Sequence, residues 1–332
     1  MRYSLKKKIS IVAVSAMMLL TSGCGILMHP SRSVLNVEGA VKPQEIESEI
    51  PIDYRGDDEG RLITDIKKNI EIDPTNYKRV LVKSYLGETY VRPSSSGRLE
   101  VQFYLLHSGK MNDKQKEYWE KTSMNIIEKN GVVYIEPHFP NDIYKNFELF
   151  YNDSFDDERK VIIDIGVPEN IQELGLSNNV GYVELSDITA NIRLSNNVGE
   201  VDINNITPID SLYISNNVGE IDCSIKDLSK VHELINLTNV GEMSFDIKDQ
   251  ITQYDQIISS TFGDDTSSSD GSKGQNKEDL DQIIDRMEET MNKSIDSDDA
   301  SLFEDWKVIE PKERPLFVNV SNVGEINVRR SN

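Results

Sequence analysis

The residues of this chain best suited to chemistry are carboxylates at a fixed spacing. Glu200 and Asp202 recur as Glu220 and Asp222, Glu242 and Glu325 hold the same place in later copies, and Glu88 does so in an earlier one. Acids two residues apart could serve glycosidic acid–base catalysis, gather divalent cations or dock a polycationic partner. Glycosidic chemistry needs two carboxyls in different environments, one of them with a raised pKa. These pairs are alike from copy to copy, which disfavours catalysis. A calcium site wants about six to eight oxygens converging on one point; a column presents them in a line. Carboxylates one strand apart in water repel by about 0.9 kcal/mol, which a solvated face tolerates. The column of Glu200, Asp202, Glu220, Asp222, Glu242 and Glu325 is therefore expected to be an exposed strand face that blocks aggregation, or a binding surface.

Other chemistries are poorly represented. His29, His107, His138 and His232 are scattered without a metal-ligand spacing, and the only cysteines are Cys24 and Cys223. There is no nucleophile elbow and no phosphate-cradling glycine loop. No metal, no cofactor and no catalytic residue is expected.

The acids are positioned by a repeat. Leu176-Ser177-Asn178-Asn179-Val180-Gly181 returns as Leu194 to Gly199, Ile214 to Gly219, Leu237-Thr238-Asn239-Val240-Gly241 and Val320-Ser321-Asn322-Val323-Gly324. The glycines are 18, 20, 22 and then 83 residues apart. Periods near 20 residues mark stacked supersecondary units. Each unit reads as a strand, a corner and a second strand. Alternation along the second strand turns Val183 and Leu185, Val201 and Ile203, Ile221 and Cys223, Met243 and Phe245, and Ile326 and Val328 inward, and leaves the acids outside. The corner asparagines Asn178, Asn196, Asn216, Asn239 and Asn322 are expected to stack as one side-chain amide ladder. The glycines Gly181, Gly199, Gly219, Gly241 and Gly324 are expected to supply positive φ or close backbone approach.

Before the clear repeats, Val80 to Val91 is a degenerate copy with its own Gly87-Glu88 corner. Leu99 to Leu106, Phe147 to Tyr151 and Val161 to Val167 read as strands, and Lys114 to Lys121 as a short helix. Met124–Ile127 and Val132–Ile135 read as a hairpin turning at Asn130-Gly131. Between the fourth and fifth copies, residues 250–312 read as an insertion. Within it, 263–276 has a disordered composition, and 277–295 places Leu280, Ile283, Ile284, Met287 and Met291 at helical spacing. From 263 to 301 there are twelve acids against four bases.

Charge and the N-terminus bound the setting. The 332 residues carry a formal charge of -21. Nucleic acid requires a basic footprint, so it is excluded as a partner, and an anionic body does not adhere to anionic lipid unaided. Met1 to Gly23 has a basic front (Arg2, Lys6, Lys7, Lys8), an apolar run and a Leu20-Thr21-Ser22-Gly23-Cys24 junction. That pattern is a signal peptide, and its junction resembles the lipobox of bacterial lipoproteins, although Thr21 stands where leucine is commoner. The resemblance implies lipidation at Cys24, with acyl chains holding the protein to the membrane. Residues 24–60 then form a tether, and 61–332 the folded domain.

The stretch Val161 to Ile225, with Val167-Pro168 followed by repeated strand, Ser-Asn-x-Val-Gly, acid and strand, resembles the putative-adhesin family of repetitive β proteins, also described as toastrack-like or DUF4097-type. The resemblance extends over about residues 62–250 and 315–330, and the acidic insertion departs from it. It implies a surface-exposed, non-enzymatic β-solenoid, and some such proteins are associated with envelope sensing. No site residues carry over. The sequence thus leads to an all-β, single-stacked β-solenoid (β-helix-like) of ~20-residue repeats with an acidic, partly helical insertion. Its expected role is an extracytoplasmic, lipid-anchored adhesin-like or scaffold module with an envelope protein or glycan partner. The alternative is a sensory or regulatory component acting on membrane partners through the insertion, and a polysaccharide-acting enzyme stands third.

Overall fold

The computed structural model describes residues 63–107, 111–140, 159–248, 255–262, 316–323 and 326–331. The expected signal peptide, Cys24, the tether, Phe147 to Tyr151, the 263–276 and 277–295 segments, Gly324 and Glu325 lie outside those residues. The described strands form an open, mostly parallel sheet, folded along a line of glycines into two ladders.

Two long strands cross that line. β2 (Arg79–Pro93) and β7 (Glu173–Ser186) pair in parallel on both sides of it, with Val82 opposite Leu176, Gly87 opposite Gly181 and Val91 opposite Leu185. Val80 to Val91 is therefore a full turn of the stack. The first ladder continues through β8 (Asn191–Val198), β10 (Ser211–Val218) and β12 (Glu233–Val240), all parallel. The second continues from the far half of β7 through β9 (Val201–Ile206), β11 (Ile221–Ile225) and β13 (Met243–Lys248).

The N-terminal end carries the expected hairpin and short helix in place of the regular repeat. β4 (Ser123–Lys129) and β5 (Val132–His138) form an antiparallel hairpin, and β5 joins the first ladder beside β2. Its turn places Asn130 at φ 52° and Gly131 at φ 76°, the geometry that Asn-Gly favours. On the second ladder, β6 (Arg159–Val167) pairs parallel with β2 and antiparallel with β3 (Leu99–His107), which pairs antiparallel with β1 (Ile63–Ile72). α1 (Asp113–Lys121) lies between β3 and β4 in the chain, its N-terminus closed by a capping box between Asn112 and Gln115. Trp119 and Tyr118 are buried, and the Trp119 ring meets Phe103 at 5.4 Å. Hairpins and a helix suit an end turn, because they need no further rung beside them.

One contiguous core runs from Ile72 through the stack to Ile326. Val183, Leu185, Val201, Ile203, Ile221, Cys223, Met243 and Phe245 are all buried. Each such aliphatic side chain contributes about 1.5–3 kcal/mol on burial. Burial pushes the Cys223 thiol up, so it behaves as a small apolar residue.

The far end differs from the expected insertion. β15 (Leu316–Val323) and β16 (Ile326–Ser331) stack directly on β12 and β13, in register. β14 (Asp255–Phe262), inside the stretch read as an insertion, pairs in parallel with β15 on its outer side. The reason is visible in Ile258-Ser259-Ser260-Thr261-Phe262-Gly263-Asp264, which repeats the pattern of Ile214 to Glu220 with Ser and Thr in place of Asn. Gly263 follows Gly241 by 22 residues, the same step as from Gly219 to Gly241.

A buried carboxylate fastens the β2–β3 turn. Glu100 accepts from the Ser95 and Ser96 amides, both at 2.9 Å, from the Ser95 and Ser94 hydroxyls at 2.8 and 3.1 Å, and from Arg92 at 2.9 Å. Arg92 also reaches Asp164 at 3.1 Å. Burial alone would raise the Glu100 pKa, but the bonds from Ser95, Arg92 and Ser96 outweigh it and hold the value at about 2. A depressed pKa stabilises the fold above the ordinary value of 4.5, and that contribution is lost as pH falls through about 2. Glu100→Gln should therefore lower the urea midpoint at neutral pH, and the gap from wild type should narrow as pH is taken from 4.5 towards 2. A gap independent of pH would contradict this account. Val201→Asp, which buries a charge between Val183 and Ile221, should cost on the order of 4 kcal/mol or more, read by circular dichroism and protease resistance.

Candidate functional site

The corner is where the repeat, the acids and the two ladders meet. Gly87, Gly181, Gly199, Gly219 and Gly241 have φ of 115°, 141°, 131°, 135° and 142°. Space excludes a side chain as firmly as φ does. A Cβ on Gly199 would lie 1.8 Å from the Gly181 carbonyl oxygen, and one on Gly219 would lie 1.9 Å from that of Gly199. The α-hydrogen that glycine carries there points at the carbonyl of the preceding turn, the Cα–H···O contact seen between adjacent strands. The ladder also runs unbroken through the bend: Val183, Val201 and Ile221 amides donate to the carbonyls of Glu200, Glu220 and Glu242 at 3.0, 2.9 and 2.9 Å.

The asparagines form two rows where one was expected. In the inner row the Asn178 amide donates to Asn196 at 2.8 Å, and Asn196 donates to Asn216 at 3.1 Å. All three are buried. The register then places Thr238, not Asn239, opposite Asn216, and Ser321 opposite Thr238. Asn239 belongs to the outer row: it donates to Asn217 at 3.0 Å, Asn217 to Asn197 at 2.9 Å, and Asn197 to Asn179 at 2.8 Å. Asn322 follows Ser321 as Asn239 follows Thr238. The Ser-Asn-Asn doublet could have shown both rows in the sequence, since the fourth and fifth copies each keep one asparagine beside a hydroxyl residue. The two rows donate in opposite directions along the stack.

Outward, the acids line the second ladder. Glu184, Asp202 and Asp222 occupy one register line, continued by Ser244 and Asn327. Glu200 and Glu220 are half-buried, and Asp222 and Glu242 are exposed. The column is not uniform, because tyrosines close its N-terminal end. The Tyr182 hydroxyl donates to Asp202 at 2.6 Å and to Glu184 at 3.2 Å. Tyr90 donates to Glu88 at 2.7 Å, Lys160 pairs with Glu88 at 3.0 Å, and the Tyr90 and Tyr182 rings stand 5.8 Å apart. Burial and then the neighbouring carboxylates push both phenols up, so they stay protonated donors. Tyr90 and Lys160 are the residues that the sequence reading left out of this face. Their parity relative to Glu88 and Val161 was the available clue. The carboxyls of Glu100, Asp73, Glu117 and Asp227 lie below their ordinary values. Among the described residues no group of three or more His, Cys, Asp or Glu is placed to hold a metal ion.

No protein-family model and no curated protein matches this sequence. Among solved structures, the chain is similar to a putative cell adhesion protein of Clostridium sporogenes, at 13% identity and a TM-score of 0.41, over 81% of this chain and 100% of that one. It is also similar to a putative adhesin of Bacteroides fragilis, at 14% identity and a TM-score of 0.38, over 81% of this chain and 98% of that one. Neither likeness assigns a role to any residue here.

The corner geometry sets two expectations. Gly199→Ala should destabilise the stack by at least ~3 kcal/mol, combining strained φ with a clash against backbone. Asn196→Ala should cost ~2–3 kcal/mol, because it leaves the buried Asn178 amide and Asn216 carbonyl unpaired. Asn239→Ala, at the exposed end of the outer row, should stay within about 0.5 kcal/mol of wild type. Equal losses at Asn196 and Asn239, measured by urea denaturation, would refute the separation into two rows.

Proposed function

We propose that the chain is a non-enzymatic module of the bacterial cell envelope: a β-solenoid rod, held to the membrane through lipid on Cys24, that presents its outer acidic face to an envelope partner. The supporting observation is the register of the two ladders. Equivalent residues stack turn on turn, so Asp202, Asp222 and their neighbours form a continuous solvated face in place of one differentiated pair. Such a face suits multivalent contact with a cationic protein segment or a basic glycan, where weak contacts add along a line. The anchor follows from the sequence: an apolar run after Arg2, Lys6, Lys7 and Lys8 ends in small residues at Cys24. Among the described residues no helix is long and apolar enough to cross a membrane, and lipid would serve in place of one.

Two measurements check this reading. Cys24→Ala should abolish incorporation of labelled fatty acid and move the protein from the membrane to the soluble fraction; unchanged labelling would sink the anchor. Replacing Glu220, Asp222 and Glu242 together by Gln should keep the fold, since these side chains are exposed or half-buried. It should also reduce capture of envelope fractions in a salt-dependent manner. Undiminished capture would remove the acidic face from the function.

A further inference from the structure

The order of strands at the far end departs from the order of the sequence. From β7 through β12 each turn stacks on the turn before it in the chain. β14 follows β12 by the same 22-residue step, measured at Gly263 and Gly241, and carries the same corner pattern. Yet β15 lies between them. Leu316 pairs with both Glu233 and Asp255, Val318 with Ile235 and Ile257, and Val323 with Val240 and Phe262. β14 thus holds the register it would have on β12, displaced outward by one rung.

The second ladder shows why a strand is needed in that place. Gly+2 and Gly+4 are the inward positions of each turn: Val183 and Leu185, Val201 and Ile203, Met243 and Phe245. After Gly263 those positions are Asp265 and Ser267. The turn that follows β13 in sequence therefore has no apolar pair with which to cover it. Ile326 and Val328 have the right spacing, and β16 supplies them to β13 in register from Met243 to Lys248. The segment 316–331 carries the pattern that continues both β12 and β13 in register.

Nothing in that pattern requires the segment to come from the same chain. Fifty-three residues, 263–315, separate β14 from β15, whereas the parallel pairing requires the chain to return only one strand length, ~26 Å. At ~3.3 Å per extended residue, the connection is several times longer than that return demands. We propose that 316–331 is an exchangeable strand pair, and that two copies of this chain assemble by each inserting it between β12/β13 and β14 of the other. The contacts within the slot are the same in the closed monomer and in the exchanged pair, so concentration and connector reach decide which forms. Continued from copy to copy, the exchange links rods into chains. The inference is independent of the envelope reading: membrane fractionation tests the anchor, and the experiment below tests assembly.

Ser244 on β13 lies opposite Asn327 on β16, and both are outward positions. Full-length chains in a Cys24→Ala/Cys223→Ala background would carry Ser244→Cys with one affinity tag or Asn327→Cys with another. They would be mixed, unfolded, refolded at increasing protein concentration and oxidised. A disulfide-linked species bearing both tags, rising with concentration, is the expected result. The double variant Ser244→Cys/Asn327→Cys, refolded dilute, should close the bond within one chain, which verifies the geometry. Closure in the double variant with no mixed-tag species at any concentration overturns the proposal. Light scattering on the unsubstituted chain gives a second readout. Dimers and longer species that shrink when excess 316–331 peptide is added sustain the proposal, and monomer at every concentration overturns it.

Discussion

The rest of this molecule depends on one close approach: glycine α-hydrogen against glycine carbonyl, turn after turn, along the fold line. At that line the chain must bend without losing the hydrogen bonds that join rungs. Any side chain there would push neighbouring turns apart, because a Cβ would fall within 1.7 to 2.1 Å of a carbonyl oxygen. Glycine also provides the φ values that the bend requires. With the bend fixed, the two ladders contribute to one apolar core. Period-2 alternation then turns apolar residues into the space between them and carboxylates away from it.

The interior next to the bend is polar, and its buried asparagines are joined in a row. Asn178, Asn196 and Asn216 are buried and pass hydrogen bonds from one to the next, and the Asn216 amide ends the row by donating to the Gly199 carbonyl at 3.3 Å. A row of this kind gives register as well as stability. A slip by one residue would place valine or serine against asparagine and leave an amide unpaired, which costs more than the same slip in an all-apolar strand. The outer row, running the other way, repeats the constraint closer to solvent.

Much of this was legible in the sequence, because the repeat is nearly literal. The alternation after each glycine located the buried pairs, and Asn130-Gly131 located the hairpin. What was not legible follows from physics that a single motif does not carry. Stacking Asn239 with Asn216 looked natural by residue type, but the bend is fixed by Gly241, and counting back from it puts Thr238 in that row. β14 escaped notice because Ser260 and Thr261 replace the asparagines, and because the polar residues after Gly263 made the stretch read as insertion. The tyrosines that occupy the upper acids belong to different turns, and their meeting depends on the β2–β7 register.

The successive turns are not the same length, and the difference is confined to one side. From the end of the bend, through the second-ladder strand, to the next first-ladder strand run residues 183–190, then 201–210, then 221–232. The glycine side keeps the same length in every turn. The molecule thus has a spine and an open margin, like a bound book whose pages differ in width. Change in length accumulates at the margin without disturbing the binding, so the margin is the side on which turns can diverge in sequence while the stack stays whole.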